Sequence, residues 1–99
     1  MTKSELQNLL QREDIILIDV REPFEFGMDH IKGAINYPLG DIPTKVGKLK
    51  NMDKPIILYC ASGNRSGQAA EFLKAHGLLS AYNAGGIEDV RALMSSAVH

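Results

Sequence analysis

Cys60, the only cysteine in the chain, stands at the end of the apolar run IILY and opens the segment CASGNRS. Arg65 follows after four intervening residues, and Ser62 and Ser66 flank it. If this segment joins a strand end to a helix start, its first backbone N–H groups have no partners inside the helix, and the helix dipole adds partial positive charge there. A tight turn whose successive N–H groups converge makes an anion-binding nest. Gly63 permits the positive φ such a turn needs, and Arg65 can place a permanent positive charge at the rim. A thiol in such a cup loses its proton readily, because helix N-termini and basic neighbours lower cysteine pKa values from about 8.5 to about 3.5–7.5. The chemistry on offer is a nucleophilic thiolate inside an anion receptor.

Each part has a plainer meaning by itself. A lone cysteine at a strand end is ordinarily a small buried hydrophobe, Gly63 alone is a turn, and Arg65 alone is a solvated first-turn residue. Only their conjunction points to chemistry, because a core cysteine has no need of a glycine-bearing cup followed by an arginine. Ser62 and Ser66 can hydrogen-bond loop amides or line the cup, and Ser66 also suits a helix cap; the sequence does not choose between these. The phosphate-binding pattern GxxxxGK[ST] is absent.

Elements that could hold such a loop are legible on both sides. Ser4 as an N-cap with Leu6, Leu9 and Leu10 behind it predicts a first helix. DIILIDV (14–20) reads as a buried strand, and Pro23 suits the first turn of a short helix over PFEFGMD. GAINYP (33–38) reads as a strand ended by Pro38, and residues 40–52 as a weak helix interrupted by two glycines and a proline. PIILY (55–59) is the clearest strand. The helical period from Arg65 through Ala69, Phe72 and Leu73 stops at Gly77, a C-cap type of residue. SAYNA (80–84) follows as a strand, and Gly85-Gly86 turn into a last helix carrying Ile87, Val90, Leu93 and Met94. Strand-then-helix alternation with continuous apolar strands predicts a mostly parallel α/β sheet covered on both faces. Such sheets place reactive groups just past the carboxyl ends of their strands, where Cys60 lies.

Ninety-nine residues suit one domain, 1–99. The composition is 44% hydrophobic and 23% charged with a net charge of −1, which lacks the basic excess of a nucleic-acid-binding surface. No apolar run approaches the roughly 18 residues of a membrane helix. The polar start MTKSELQNLLQRED does not resemble a secretory leader, so a cytoplasmic location is expected, or a periplasmic one if a leader has been removed. One cysteine allows neither an internal disulfide nor a cysteine-rich zinc site, and His30, His76 and His99 are scattered. No metal, cofactor, nucleic acid or membrane partner is expected, and a monomer is the default.

Three stretches, IDVREPFEF…DHIKGAINYP (18–38), ILYCASGNRS (57–66) and NAGGIEDV (83–90), resemble in order the signatures of single-domain rhodaneses, the thiosulfate sulfurtransferase family, of the phage shock protein E type. The resemblance implies a three-layer α/β/α fold with about five short strands. It implies sulfane-sulfur transfer in which Cys60 attacks the outer sulfur of thiosulfate, sulfite leaves, and the loop Ala61, Ser62, Gly63, Asn64, Arg65 and Ser66 holds donor and persulfide. Cyanide or a cellular thiol then takes the sulfur in a second half-reaction. A protein persulfide is an alternative donor. Cysteine phosphatases have a similar loop with a longer Cys-to-Arg segment, so the shorter spacing here favours a sulfur electrophile over a phosphoryl group. A sulfur carrier or binding module with little turnover is the competing reading, and a phosphatase- or arsenate-reductase-like thiol enzyme a weaker third.

Other positions complete the comparison. Asp19 matches the family's DVR aspartate and is expected to brace the active loop, since a buried carboxylate needs a partner. Arg21 and Glu25 are expected to pair across Pro23, and His30 to be structural. Gly85 and Gly86 are expected to mark a tight backbone approach beside the loop, and Met28, Met52 and Met94 to be filler. The chain departs from the family pattern at Ala61, where a basic residue is common, at Asp29 in place of a glycine, and at Val90 in place of a tryptophan. The neutral Ala61 removes one source of thiosulfate attraction.

Overall fold

A computed structural model describes residues 1–96. The elements run α1 (Lys3–Leu10), β1 (Ile16–Asp19), α2 (Pro23–Met28), β2 (Ile35–Asn36), a 3-10 turn (Leu39–Asp41), α3 (Ile42–Met52), β3 (Ile56–Cys60), α4 (Asn64–Ala75), β4 (Ala81–Gly86) and α5 (Ile87–Ser96). The four strands are all parallel in the order β2-β1-β3-β4. The expected α/β sheet is therefore present with four strands among the described residues where about five were anticipated.

Side-chain alternation along the strands builds two cores. Ile56, Leu58 and Cys60 of β3 face one way and join Ile16, Ile18, Ile42, Leu49, Ala69 and Leu73. Ile57 and Tyr59 face the other way and join Leu10, Leu17, Ala84, Ile87 and Val90. The helices α3 and α4 thus cover one face, and α1 and α5 the other. All five β3 residues are buried, which is why this strand reads as a continuous apolar run rather than an alternating one. The period of two also decides that Cys60 points toward α4.

Helix termini explain where the elements begin and end. Thr2, rather than Ser4, caps α1: its hydroxyl accepts from the Glu5 amide while the Glu5 carboxylate accepts from the Thr2 amide. The helix over 42–52 is better formed than two glycines and a proline suggest. Pro43 lies in its first turn, Gly40 falls outside it, and Ile42 and Leu49 are fully buried. Gly77, at φ +91°, ends α4 in a Schellman arrangement, with Leu78 N donating to Leu73 O and Gly77 N to Lys74 O. Met28, expected as filler, is 82% exposed, whereas Met94 packs against the second core.

The strand order reverses direction between β1 and β3, so the carboxyl ends of these two strands border the crevice where α/β sheets bind ligands. Asp19 and Cys60 end those strands. Leu73 is wholly buried between α4 and the sheet, so Leu73→Ala should lower unfolding free energy by about 2–5 kcal/mol, read as a reduced urea midpoint with unchanged slope.

Candidate active site

Cys60 is the last residue of β3, and α4 begins four residues later with Gly63 as its N-cap at φ +100°. Gly63 N donates to Cys60 Sγ at 3.0 Å, and the backbone amides of Ser62 and Ser66 lie close enough to favour the charged sulfur. The buried Ser66 hydroxyl lies 3.3 Å from it. Burial is the largest single influence on the thiol and raises its pKa. The Ser66 hydroxyl and the Ser66, Ser62 and Gly63 amides together outweigh it, so the pKa ends below that of a free thiol. The charge of Arg65 is favoured first by hydrogen bonds to Glu25 and, to a smaller extent, by the Cys60 thiolate.

The loop is tethered from β4. Asn83 Nδ2 donates to Gly63 O at 3.1 Å, and Asn83 Oδ1 accepts from the Ser66 hydroxyl at 2.7 Å and from Gly85 N at 2.9 Å. A hydroxyl has one hydrogen. When Ser66 turns it toward sulfur, Asn83 Oδ1 still keeps the Gly85 amide. Close backbone packing completes the cradle. A Cβ on Gly86 would lie 2.4 Å from Ala61 O, and one on Gly63 would lie 3.2 Å from Gly85 Cα. The expected tight approach of Gly85-Gly86 to the loop is what the structure shows. A register irregularity between Leu58 and Cys60 lets β4 run on to Gly86 opposite Cys60.

The ion pairs differ from those expected. Glu25 does not pair with Arg21; it binds Arg65, Nη1 to Oε1 at 2.7 Å and Nη2 to Oε2 at 3.2 Å. Arg65 therefore comes to the rim already neutralised. The Arg65 hydrogen bonds, followed by the Glu22 amide, hold the Glu25 carboxyl down at about 2. Arg21 is buried and binds Asp19, with Nη2 to Oδ2 at 2.8 Å and its own amide donating to Oδ1 at 2.9 Å. Asp19 thus braces Arg21, whose Nη2 reaches Asp29 O, rather than the Cys60 loop itself. Arg65 and Glu25 are 40 residues apart and meet only in the folded chain, so their pairing is not visible along the sequence.

His30, Asp29 and Val90 make no contact with the Cys60 sulfur. His30 is exposed, stacked on Phe26 and bonded to Phe26 O. Asp29, where a glycine is usual, has extended backbone at φ −174° that any residue adopts, and its carboxylate pairs with Arg91 of α5. Ala61, Ser62 and Asn64 form the exposed rim of the loop, Gly63 and Arg65 are half-buried, and Ser66 is fully enclosed. Cys60 itself has no exposed surface, so its sulfur forms the floor of the cup. Val90 is fully buried where a tryptophan is usual. Asn83 and Glu25 are the two contributors that residue-by-residue reading missed.

A rhodanese-like domain family model matches residues 2–93. The chain belongs to the rhodanese-like family. It is 46% identical over 67 residues to the uncharacterized protein YqhL of Bacillus subtilis, covering 68% of this chain and 52% of YqhL. It is 36% identical over 74 residues to the thiosulfate sulfurtransferase PspE of Escherichia coli, covering 74% of this chain and 71% of PspE. A solved rhodanese with anions from E. coli superposes with a TM-score of 0.70 at 36% identity, over 76% of this chain and 89% of that one. This rhodanese thus spans about half of YqhL and most of PspE.

Two substitutions test the cradle. Ser66→Ala removes a donor to the thiolate, so the midpoint of Cys60 alkylation by iodoacetamide should move to higher pH and the rate at neutral pH should fall several-fold. Gly86→Ala forces a Cβ into Ala61 O, and thiol reactivity should fall while the far-UV circular dichroism stays native.

Proposed function

We propose that this chain is a sulfurtransferase that carries sulfane sulfur on Cys60, taking it from thiosulfate or another persulfide-type donor and passing it to cyanide or a thiol. The observation that carries the reading is the Cys60 sulfur at a strand end beneath the Gly63, Ser62 and Ser66 amides and the Ser66 hydroxyl. Membership of a family that includes PspE, named a thiosulfate sulfurtransferase, supports it.

The thiolate attacks the outer sulfur of thiosulfate. A new sulfur–sulfur bond forms as the bond to the sulfonate sulfur breaks, and its electron pair leaves with sulfite. The product is a Cys60 persulfide anion, in the charge state the amides already favour. The second substrate attacks the outer persulfide sulfur, and the electron pair of that bond returns to Cys60 as thiolate. With cyanide the product is thiocyanate. No general base is needed when the thiolate is formed in advance, and the two half-reactions give ping-pong kinetics. Ala61, Ser62, Asn64 and Arg65 line the approach to the sulfur. Because Cys60 is covered at rest, a donor reaches the sulfur as the exposed side chains of the rim move aside, with the tethered backbone of the loop staying in place.

A second reading, a sulfur carrier loaded by a protein persulfide, is favoured by the neutral Ala61 and the covered sulfur. Thiocyanate formation from thiosulfate and cyanide, measured for wild type and Cys60→Ser, separates the two. Wild type is expected to turn over and to gain one sulfur on Cys60 by intact mass, with both lost in the variant. A wild type that makes no thiocyanate yet accepts sulfur from a protein persulfide is a carrier. Equal rates in both proteins would remove Cys60 from the mechanism.

A further inference from the structure

The rim of the cup carries a carboxylate as well as a cation. Glu25 binds Arg65 through both oxygens, and its Oε1 also accepts from Glu22 N at 2.9 Å as the reciprocal half of the α2 N-terminal turn. Three donors thus fix the carboxylate in place, and both side chains are largely enclosed at 22% exposure for Glu25 and 33% for Arg65. Glu22 adds a second negative charge within electrostatic reach of Arg65. Ala61 contributes no charge. The donor's approach is therefore served by backbone N–H dipoles and by a guanidinium that an anion must share with Glu25.

We infer that Glu25 is a specificity-determining residue: locked onto Arg65 beside the loop, it cancels the rim charge and turns the cup toward sulfane donors with one negative charge, such as thiosulfonates and persulfides, at the expense of the thiosulfate dianion. The inference rests on the sulfurtransferase reading and names its preferred substrate class. The physical reason is a difference in charge. Both donors carry the terminal sulfur that Cys60 attacks, and amides oriented at the sulfur serve both. The second charge on thiosulfate meets a carboxylate where a free arginine would have met it. For an assumed separation of about 7 Å, partly screened, repulsion between one added charge and the carboxylate corresponds to about three- to tenfold in relative affinity. The carboxylate stays ionised throughout the neutral range, so the discrimination is built in rather than switched by pH.

The step has the same balance for either donor. With methanethiosulfonate, the Cys60 thiolate takes the terminal sulfur, the sulfur–sulfonyl bond breaks, and methanesulfinate leaves with the electron pair. With thiosulfate, sulfite leaves in the same way. Total charge is conserved in each.

The test compares wild type with Glu25→Gln, which keeps an oxygen acceptor for Glu22 N and Arg65 while removing the charge. The readout is the ratio of kcat/KM for thiosulfate to that for methanethiosulfonate. That ratio should rise about three- to tenfold in the variant at low ionic strength, with a shift that shrinks toward one near 1 M salt. Glu22→Gln should move it the same way by less. A ratio that is unchanged or falls overturns the inference, including the case in which both donors react faster together, which would make the pair a mere latch on the loop. A parallel reading needs no sulfur transfer: the rate of Cys60 alkylation by anionic iodoacetate divided by that by neutral iodoacetamide. Dividing the rates cancels changes in thiolate population and in access. That ratio should rise about two- to fivefold in Glu25→Gln, and no rise overturns the inference. If it rises while neither protein takes sulfur from either donor, the charge at the rim is as stated and the sulfurtransferase reading is what has failed, taking the substrate preference with it.

Discussion

Everything distinctive about this molecule depends on one constraint: three consecutive structural demands must be met by the few residues between the end of β3 and the first turn of α4. The strand has to deliver Cys60 facing α4, the chain has to reverse, and the freed amides of the helix start have to converge on sulfur. Gly63, at φ +100°, makes the reversal without Cβ strain. The convergence then offsets the penalty of burying a thiolate, which is the largest influence on Cys60 and acts against ionisation. Without the inward-pointing N–H groups the same cysteine would be a neutral core residue.

The cradle is not a property of the loop alone. Asn83 and Gly85 of β4 hold Gly63 and Ser66 from the neighbouring strand, and the backbone of Gly86 comes so near Ala61 O that no side chain fits between. Parallel pairing of β3 with β4 brings these parts together, and the irregularity between Leu58 and Cys60 sets the offset. Rigidity at the site is therefore inherited from the sheet. A loop tethered by a neighbouring strand keeps its amides aimed before any substrate arrives, which is the condition for electrostatic stabilisation without reorganisation.

Charge around the site is arranged in closed pairs. Asp19 is satisfied by Arg21, Glu25 by Arg65 and Asp29 by Arg91. The first is buried, so removing one partner would leave an uncompensated charge in the interior. The second is half-buried and borders the cup. Its lowered carboxyl pKa has a definite sign: the stabilisation is present above the usual carboxylate pKa of about 4.5 and is lost as pH falls through about 2. Near neutral pH the Glu25 carboxylate is ionised and balances Arg65, which leaves the helix start and its amides as the uncompensated positive end at the loop.

The sequence by itself determined the alternation of strands and helices, the place of Cys60 at a strand end, and the kinship of CASGNRS and NAGGIEDV with the rhodaneses. These follow from local rules. Side-chain period, turn chemistry and capping act over a few residues, so Leu58 and Leu73 announce the core and Gly77 announces a helix end. Local rules also misled at the first helix, where Thr2 and not the expected Ser4 forms the capping box with Glu5. Only the tertiary structure decided which charges meet. Arg21 and Glu25 are close in the chain, yet Arg21 turns inward to Asp19 while Glu25 reaches Arg65, 40 residues away. Asn83 likewise gains its role only when β4 pairs with β3. The physical reason is range: strand and helix formation is set by neighbours in sequence, whereas an ion pair or a loop brace is set by whatever the finished sheet brings within hydrogen-bond distance.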